Sequence, residues 1–468
     1  MHTRVRFGPA TAFVAMAMLV VASARADRPA IEQTLRAIEK TVLAGDIDGY
    51  LAHVAADDPI FLKEQHNWAA DLKHHVPTNF RLSIVDPPPP EQAPAEQPDG
   101  HTPDPKPAHD GVRPFAFDDA AGTATFEMRM DWTMTGIGRN KRDLTRTISY
   151  PVMFKRVRAA DGTVPDRWVY AGETWSTIDD TPGPTPRQFP APHAPADPEA
   201  RAEHGDAPAP APRSAAPNRC RYFPGFEQVS QRIIDVLPEV RAHVDEGFEN
   251  PIAHVQEVKV YPSMLHLQAS IYLSYADGLG GWNEPGESIK LLASNRSSAD
   301  SLRVLLGHEY GHVATFEYGP HASDMPWWIL EGVAELSSEH FAARRADGSR
   351  ARRGRDAEQM VRAWARAGEL ADWADLTDFR TVKPALSGHV YKQGQHMVGY
   401  ISERFGRSRR NAWLRAMARG ATLDDATTAT LGISFARLDA DWRATLPARE
   451  DQSPVEGEQT LPPAEEPK

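Results

Sequence analysis

Residues 305–319 read LLGHEYGHVATFEYG, and their centre, His308-Glu309-Tyr310-Gly311-His312, sets two histidines four positions apart with a glutamate beside the first. On a helix this spacing puts both imidazoles on one face, one turn apart. Neutral imidazole is a good zinc ligand, and Glu309 would sit beside the metal, placed to take a proton from bound water. An ordinary solvated helix face could carry the same five residues, so others must separate the two readings.

Three further features favour the metal. Glu331 follows His312 by 19 residues, in MPWWILEGVAELSSEHF (325–341), a second helix with Pro326 suited to its first turn. Two histidines and one glutamate leave a fourth position open for water, as a catalytic zinc site requires. Glu335, one turn after Glu331, could accept the other ring N–H of a ligating histidine, with His308 the expected partner. Tyr391, in SGHVYKQGQHMVGYISERFG (387–406), could hydrogen-bond the oxyanion formed when water attacks a carbonyl, and His389 is the alternative for that role.

These side chains need helices to hold them. Asp300 is suited to cap the helix SLRVLLGHEYGHVATFEY, which Gly319-Pro320 would stop. Gly307 and Gly311 each cost that helix about 1 kcal/mol relative to alanine. Close approach to neighbouring elements would explain them. Before the motif come a helix-like run, FEQVSQRIIDVLPEVRAHV, and two strand-like runs, IAHVQEVKVYPS and ESIKLLAS. The second strand is expected to offer an exposed edge on which an extended peptide could pair. After Asp300 almost everything reads as helical, so this part is a small sheet followed by a helical bundle.

The region before it has a different pattern. IEQTLRAIEKTVLAGD places Ile31, Leu35, Ile38 and Val42 on one helical face. TATFEMRMDWTMTG, LTRTISYPVMFKRV and RWVYAGETWSTI then alternate as strands do, with Phe126, Met128, Met130 and Trp132 sharing a face. Helices followed by a long antiparallel sheet predict an α+β sandwich, loosely similar in layout to SnoaL-like domains. Its His66, His74 and His75 read as surface residues. The chain is thereby divided into a leader over 1–26, an N-terminal α+β domain over 27–178 with a Pro-rich insertion over 86–111, a Pro/Ala-rich linker over 179–218, a catalytic domain over 219–447, and an acidic tail over 448–468.

With those residues in place, a resemblance can be stated. HExxH-x18-E together with PWWILEGVAE resembles the gluzincin zinc peptidases, and VYKQG, 60 residues after Glu331, is similar to the VYxKG segment that carries the transition-state tyrosine in their aminopeptidase branch. Over about residues 255–446, including the ending LGISFARLDADWRATL, the chain is similar to the peptidase MA-like group. The resemblance implies a thermolysin-like domain binding Zn²⁺ through His308, His312 and Glu331. The aminopeptidase branch anchors a free amine through G-x-M-E-N. Here the comparable stretch is GLGGWNEPGESIKLLAS, with Glu284 but without the motif, so an endopeptidase is favoured over an aminopeptidase.

Composition narrows the remaining choices. One cysteine, Cys220, excludes an intrachain disulfide and a Cys-based zinc site. The first residues carry Arg4 and Arg6, a short apolar run over 10–22 and Ala24-Arg25-Ala26, the pattern of an export signal. Cleavage there would leave no membrane-inserted segment, place the protein in the periplasm or outside the cell, and move the net charge from −12 to −15 by removing three arginines. An acidic chain is a poor partner for nucleic acid. The expected partner is a peptide or protein substrate, with the oligomeric state open. A silent peptidase-like scaffold of the cell envelope is the competing reading, and a retained Glu309 argues against it.

Overall fold

The apolar stripe Ile31, Leu35, Ile38 and Val42 is buried along one side of helix α1, residues 27–43. The three- and four-residue spacing that predicts the helix is what brings these side chains together. The structure is a computed structural model, and it describes residues 27–87, 113–137, 142–158, 166–180, 217–342 and 352–448. The expected leader, nearly all of the Pro-rich insertion and the linker, and the acidic tail from 449 lie outside these residues. Among the described residues no helix is long and apolar enough to cross a membrane. There are two compact units, one within Met1–Glu239 and Ile252–Leu305, the other within Val240–Pro251 and Leu306–Lys468.

In the first unit α2 (Ile47–Leu51) and α3 (Pro59–Ala70) follow α1. Asp58 caps α3: its carboxylate accepts from the N–H groups of Ile60 and Phe61 at 3.0 and 3.1 Å, and Pro59 opens the first turn. Strands β1 (Asn79–Val85), β2 (Ala116–Asp118), β3 (Thr123–Ile137), β4 (Arg142–Val157) and β5 (Arg167–Glu173) form an antiparallel sheet in the order β1-β3-β4-β5, with β2 on β3. Phe126, Met128, Met130 and Trp132 of β3 are buried on one face, as their alternation predicts.

A second sheet lies in the same unit. It contains β6 (Ser176–Asp179), β7 (Asn218–Tyr222), β8 (Gln256–Tyr261), β9 (Gly281–Trp282) and β10 (Ile289–Leu292), in the order β6-β7-β8-β10-β9. Between β7 and β8 runs α4 (Glu227–Phe248), and α5 (Met264–Ile271) follows β8. The three central strands are parallel and the two outer pairings antiparallel. The expected exposed edge on ESIKLLAS is corrected here. The Gly-rich turn folds the chain back so that Trp282 pairs with Lys290, the Leu292 N–H donates to Gly280 O at 2.9 Å, and β10 is flanked on both sides.

The register of this sheet sets Arg221 opposite Lys259, and Lys259 opposite Lys290. Like charges side by side repel, and each meets its own acid. Arg221 lies 2.8 Å from Glu257 and 3.1 Å from Asp58, Lys259 pairs with Glu64, and Lys290 lies 2.9 Å from Glu287. Cys220 on β7 is free and buried, and burial pushes its thiol up to about 12, which removes thiolate chemistry near neutral pH.

The helices of the second unit are the end of α4 from Val240, the rest of α6 (Ala299–Phe316), then α7 (Trp327–Ala342), α8 (Arg352–Ala367), α9 (Ser387–Phe405), α10 (Arg407–Ala418), α11 (Leu423–Leu431) and α12 (Phe435–Arg443). Trp328, Trp413 and Trp442 are fully buried among them. The cap of α6 differs from expectation. The helix starts at Ala299, so Ser298 accepts from the Ser301 N–H at 3.2 Å, and Asp300 sits in the first turn, 3.0 Å from Arg303.

Glycines set how α7 meets its neighbours. A Cβ on Gly307 of α6 would come within 3.0 Å of the Phe341 ring, and one on Gly311 within 2.9 Å of Ser337 Oγ. On the other side α7 and α9 touch backbone to backbone: a Cβ on Gly332 would lie 2.5 Å from the Gly394 carbonyl carbon, and one on Gly394 only 2.3 Å from Trp328 O. Gly394→Ala is therefore expected to destabilise the protein by about 3 kcal/mol through forced separation of the helices. Gly399→Ala, which meets nothing within 4 Å on the same helix, should be neutral or stabilising by up to about 1 kcal/mol. Urea unfolding of both variants measures the contrast.

Candidate metal centre

The α6 helix carries His308, Glu309 and His312, and α7 carries Glu331 and Glu335. The two imidazole rings are 5.0 Å apart and nearly perpendicular. One donor atom from each of His308, His312 and Glu331 lies within 4.8 Å of the other two. His308 Nε2 is 3.3 Å, and His312 Nε2 3.6 Å, from Glu331 Oε2. That oxygen is buried and makes no aligned hydrogen bond, although both rings face it. Three donors thus converge on a point that none of them fills. Two imidazoles and a carboxylate are the donor set of a catalytic zinc site with one position open.

The neighbours hold these donors in place. His308 Nδ1 lies 3.4 Å from Glu335 Oε1, which leaves Nε2 to face Glu331. Lys392 of α9 places its ammonium 2.6 Å from Glu335 Oε2. Trp327 donates its indole N–H to Glu331 Oε1 at 2.8 Å, so one carboxylate oxygen is fixed while the other points at the histidines. Burial disfavours the charged carboxylates, but the histidines beside Glu331, and His308 with Lys392 beside Glu335, outweigh it and hold both well below the usual carboxylate range. Burial likewise opposes a charged His308, yet Glu331 and Glu335 keep its pKa well above that of a free imidazole.

Glu309 is buried. Burial raises its pKa, His308 and His312 pull it back, and Glu331 adds to the rise. The Tyr391 ring stacks 6.3 Å from His308 and meets Trp327 edge-on at 5.9 Å. The His389 ring instead stacks on Trp364 at 3.8 Å, with Nδ1 3.3 Å from Gln393 Oε1. Of the two oxyanion candidates, Tyr391 is the one packed against the histidine pair.

Sequence reasoning did not single out Trp327 or Lys392. The first had a usable signal, a hydrogen-bonding side chain four residues before Glu331 on the same helix. The second had none, because its partner is on another helix.

No family model matches the chain, and no curated protein does. Among solved structures, those similar to the chain include M1 zinc metallopeptidases and a yeast LTA4 hydrolase. One, the M1 zinc metallopeptidase from Deinococcus radiodurans, is 13% identical with a TM-score of 0.31, over 74% of this chain and 63% of that one. Another, native yeast LTA4 hydrolase, is 8% identical with a TM-score of 0.33, over 75% and 68%. The chain thus spans less than two thirds of the Deinococcus enzyme, and the reading of the site rests on its own residues.

Trp327→Phe keeps the ring and removes the hydrogen bond to Glu331. It is expected to weaken zinc binding by about tenfold, as losing an outer partner of a ligand does. Competition against a fluorescent zinc chelator gives the value.

Proposed function

We propose that this protein is a zinc-dependent peptidase. The observation that carries the reading is the convergence of His308, His312 and the unbonded Glu331 Oε2, with Glu309 beside them on the same helix turn. His308, His312 and Glu331 would hold the zinc. When bound, zinc supplies Lewis acidity toward water and the scissile carbonyl.

The chain's own residues do the rest. Glu309 takes the proton of the attacking water and returns it to the departing amine, and the burial that raises its pKa makes it a better base than a solvated glutamate. Tyr391 donates its hydroxyl proton in a hydrogen bond to the developing oxyanion. Glu335, steadied by Lys392, fixes the His308 ring, and Trp327 fixes Glu331. The broken amine-anchoring segment favours internal cleavage, and Glu284, the acid it retains, is already engaged by the Tyr272 hydroxyl. The leader-like pattern of the first 26 residues supports export of the protein.

Glu309→Gln should retain zinc and lose peptide turnover by about 10²- to 10⁴-fold, the range of a positioned proton carrier. His312→Ala should lose zinc. Metal analysis together with cleavage of a peptide library, run on parent and variants, reads both outcomes. Undiminished hydrolysis by Glu309→Gln would remove the assignment.

A further inference from the structure

A second place in the molecule is shaped for a ligand, and it lies wholly in the first unit. A cavity of about 70 Å³ opens among Tyr50, Trp68, Tyr150, Tyr170, Tyr261 and Glu173. Aliphatic side chains, among them Ile38, Leu82 and Ile148, complete its walls.

The charges around it do not balance. The row of cations on the second sheet is already matched: Arg221 to Glu257 and Asp58, Lys259 to Glu64, Lys290 to Glu287. Glu64 also lines the cavity, but it is further occupied by the Ser288 hydroxyl. Glu173 is the acid left over. Among the described residues no cation lies within ion-pair distance of it, and Lys259 and Lys290 act on it only from farther off. Burial raises its pKa, and the attraction of Lys259 offsets this only in part.

The backbone aims this carboxyl. The pairing of β4 with β5 shifts register between Val152 and Phe154, where Val152 faces Glu173 and Phe154 faces Tyr170. Gly172 sits in that irregularity at φ +92°, a conformation that favours glycine, and a Cβ there would come within 2.9 Å of the Phe61 ring. Irregularities of this kind re-aim side chains next to binding sites.

The Tyr50 hydroxyl, one of the polar groups around the carboxyl, spends its proton on Gln65. Aromatic faces and a lone carboxylate are complementary to an organic cation. The volume sets its size, being near half of the roughly 150 Å³ of an apolar cavity that admits benzene.

We propose that this cavity binds a small alkylammonium ion of about one to three carbons, with its chain among the tyrosine and Trp68 rings and its ammonium group on Glu173. The site is independent of the metal centre and of the peptidase reading.

The test is calorimetric titration of the full chain at pH 7 with ethylamine and with its neutral counterpart ethanol. The amine should bind at about tenfold or better advantage, the value of one charge-assisted contact. Glu173→Gln, checked for an unchanged melting temperature, should bring the two ligands within about threefold of each other. Equal binding of both by the parent, binding of neither, or an amine preference that survives Glu173→Gln would each overturn the proposal. Should Glu173→Gln fail to fold, the amine-to-alcohol ratio on the parent still decides.

Discussion

The candidate metal centre depends on how close α7 can come to α6 and α9. Its candidate ligands are divided between α6 and α7, and the groups that hold them between α7 and α9, so the donor set exists only at one separation of three helices. Gly307 and Gly311 open the first contact, and Gly332 and Gly394 the second. Each glycine costs helix propensity, and each allows one backbone to lie where a side chain would hold it off. The side chains of the site are short enough to reach one another because no Cβ intervenes.

Electrostatics then keeps the arrangement ordered. Glu331 and Glu335 are one turn apart on α7 and would repel if left alone. His308 lies between them, Nε2 toward one and Nδ1 toward the other, and Lys392 closes the far end. The alternation of acid and base along this chain is what makes two buried carboxylates tolerable. It also fixes the imidazole in one orientation, which a ligand for a metal requires. Trp327 does for Glu331 what Lys392 does for Glu335, with a neutral donor in place of a charge.

What was legible in the sequence was what depends on local spacing. His308, Glu309 and His312 share a helix turn, so their relation follows from helical geometry alone. Ile31 through Val42, and Phe126 through Trp132, declare their buried faces by period. Gly307 and Gly311 could be read as close-approach residues because glycine inside an apolar helix needs a reason. Features that depend on another segment were not legible. β9 is two residues long and has no period to detect, so β10 read as an exposed edge. Lys392 reaches Glu335 across a helix contact that no spacing encodes. Glu173 looks like any strand-end glutamate until the register shift and Gly172 turn it inward.

The row of cations across β7, β8 and β10 has a further consequence. Most sheets resist sliding because a one-residue slip exchanges their buried and exposed faces. Here a slip of β8 would carry Lys259 away from Glu64 and break a buried ion pair, a penalty of several kcal/mol. Side chains usually counted as a liability in a protein interior thus act as a ratchet pawl. They add little to how firmly the sheet holds, and much to the single alignment in which it can hold at all.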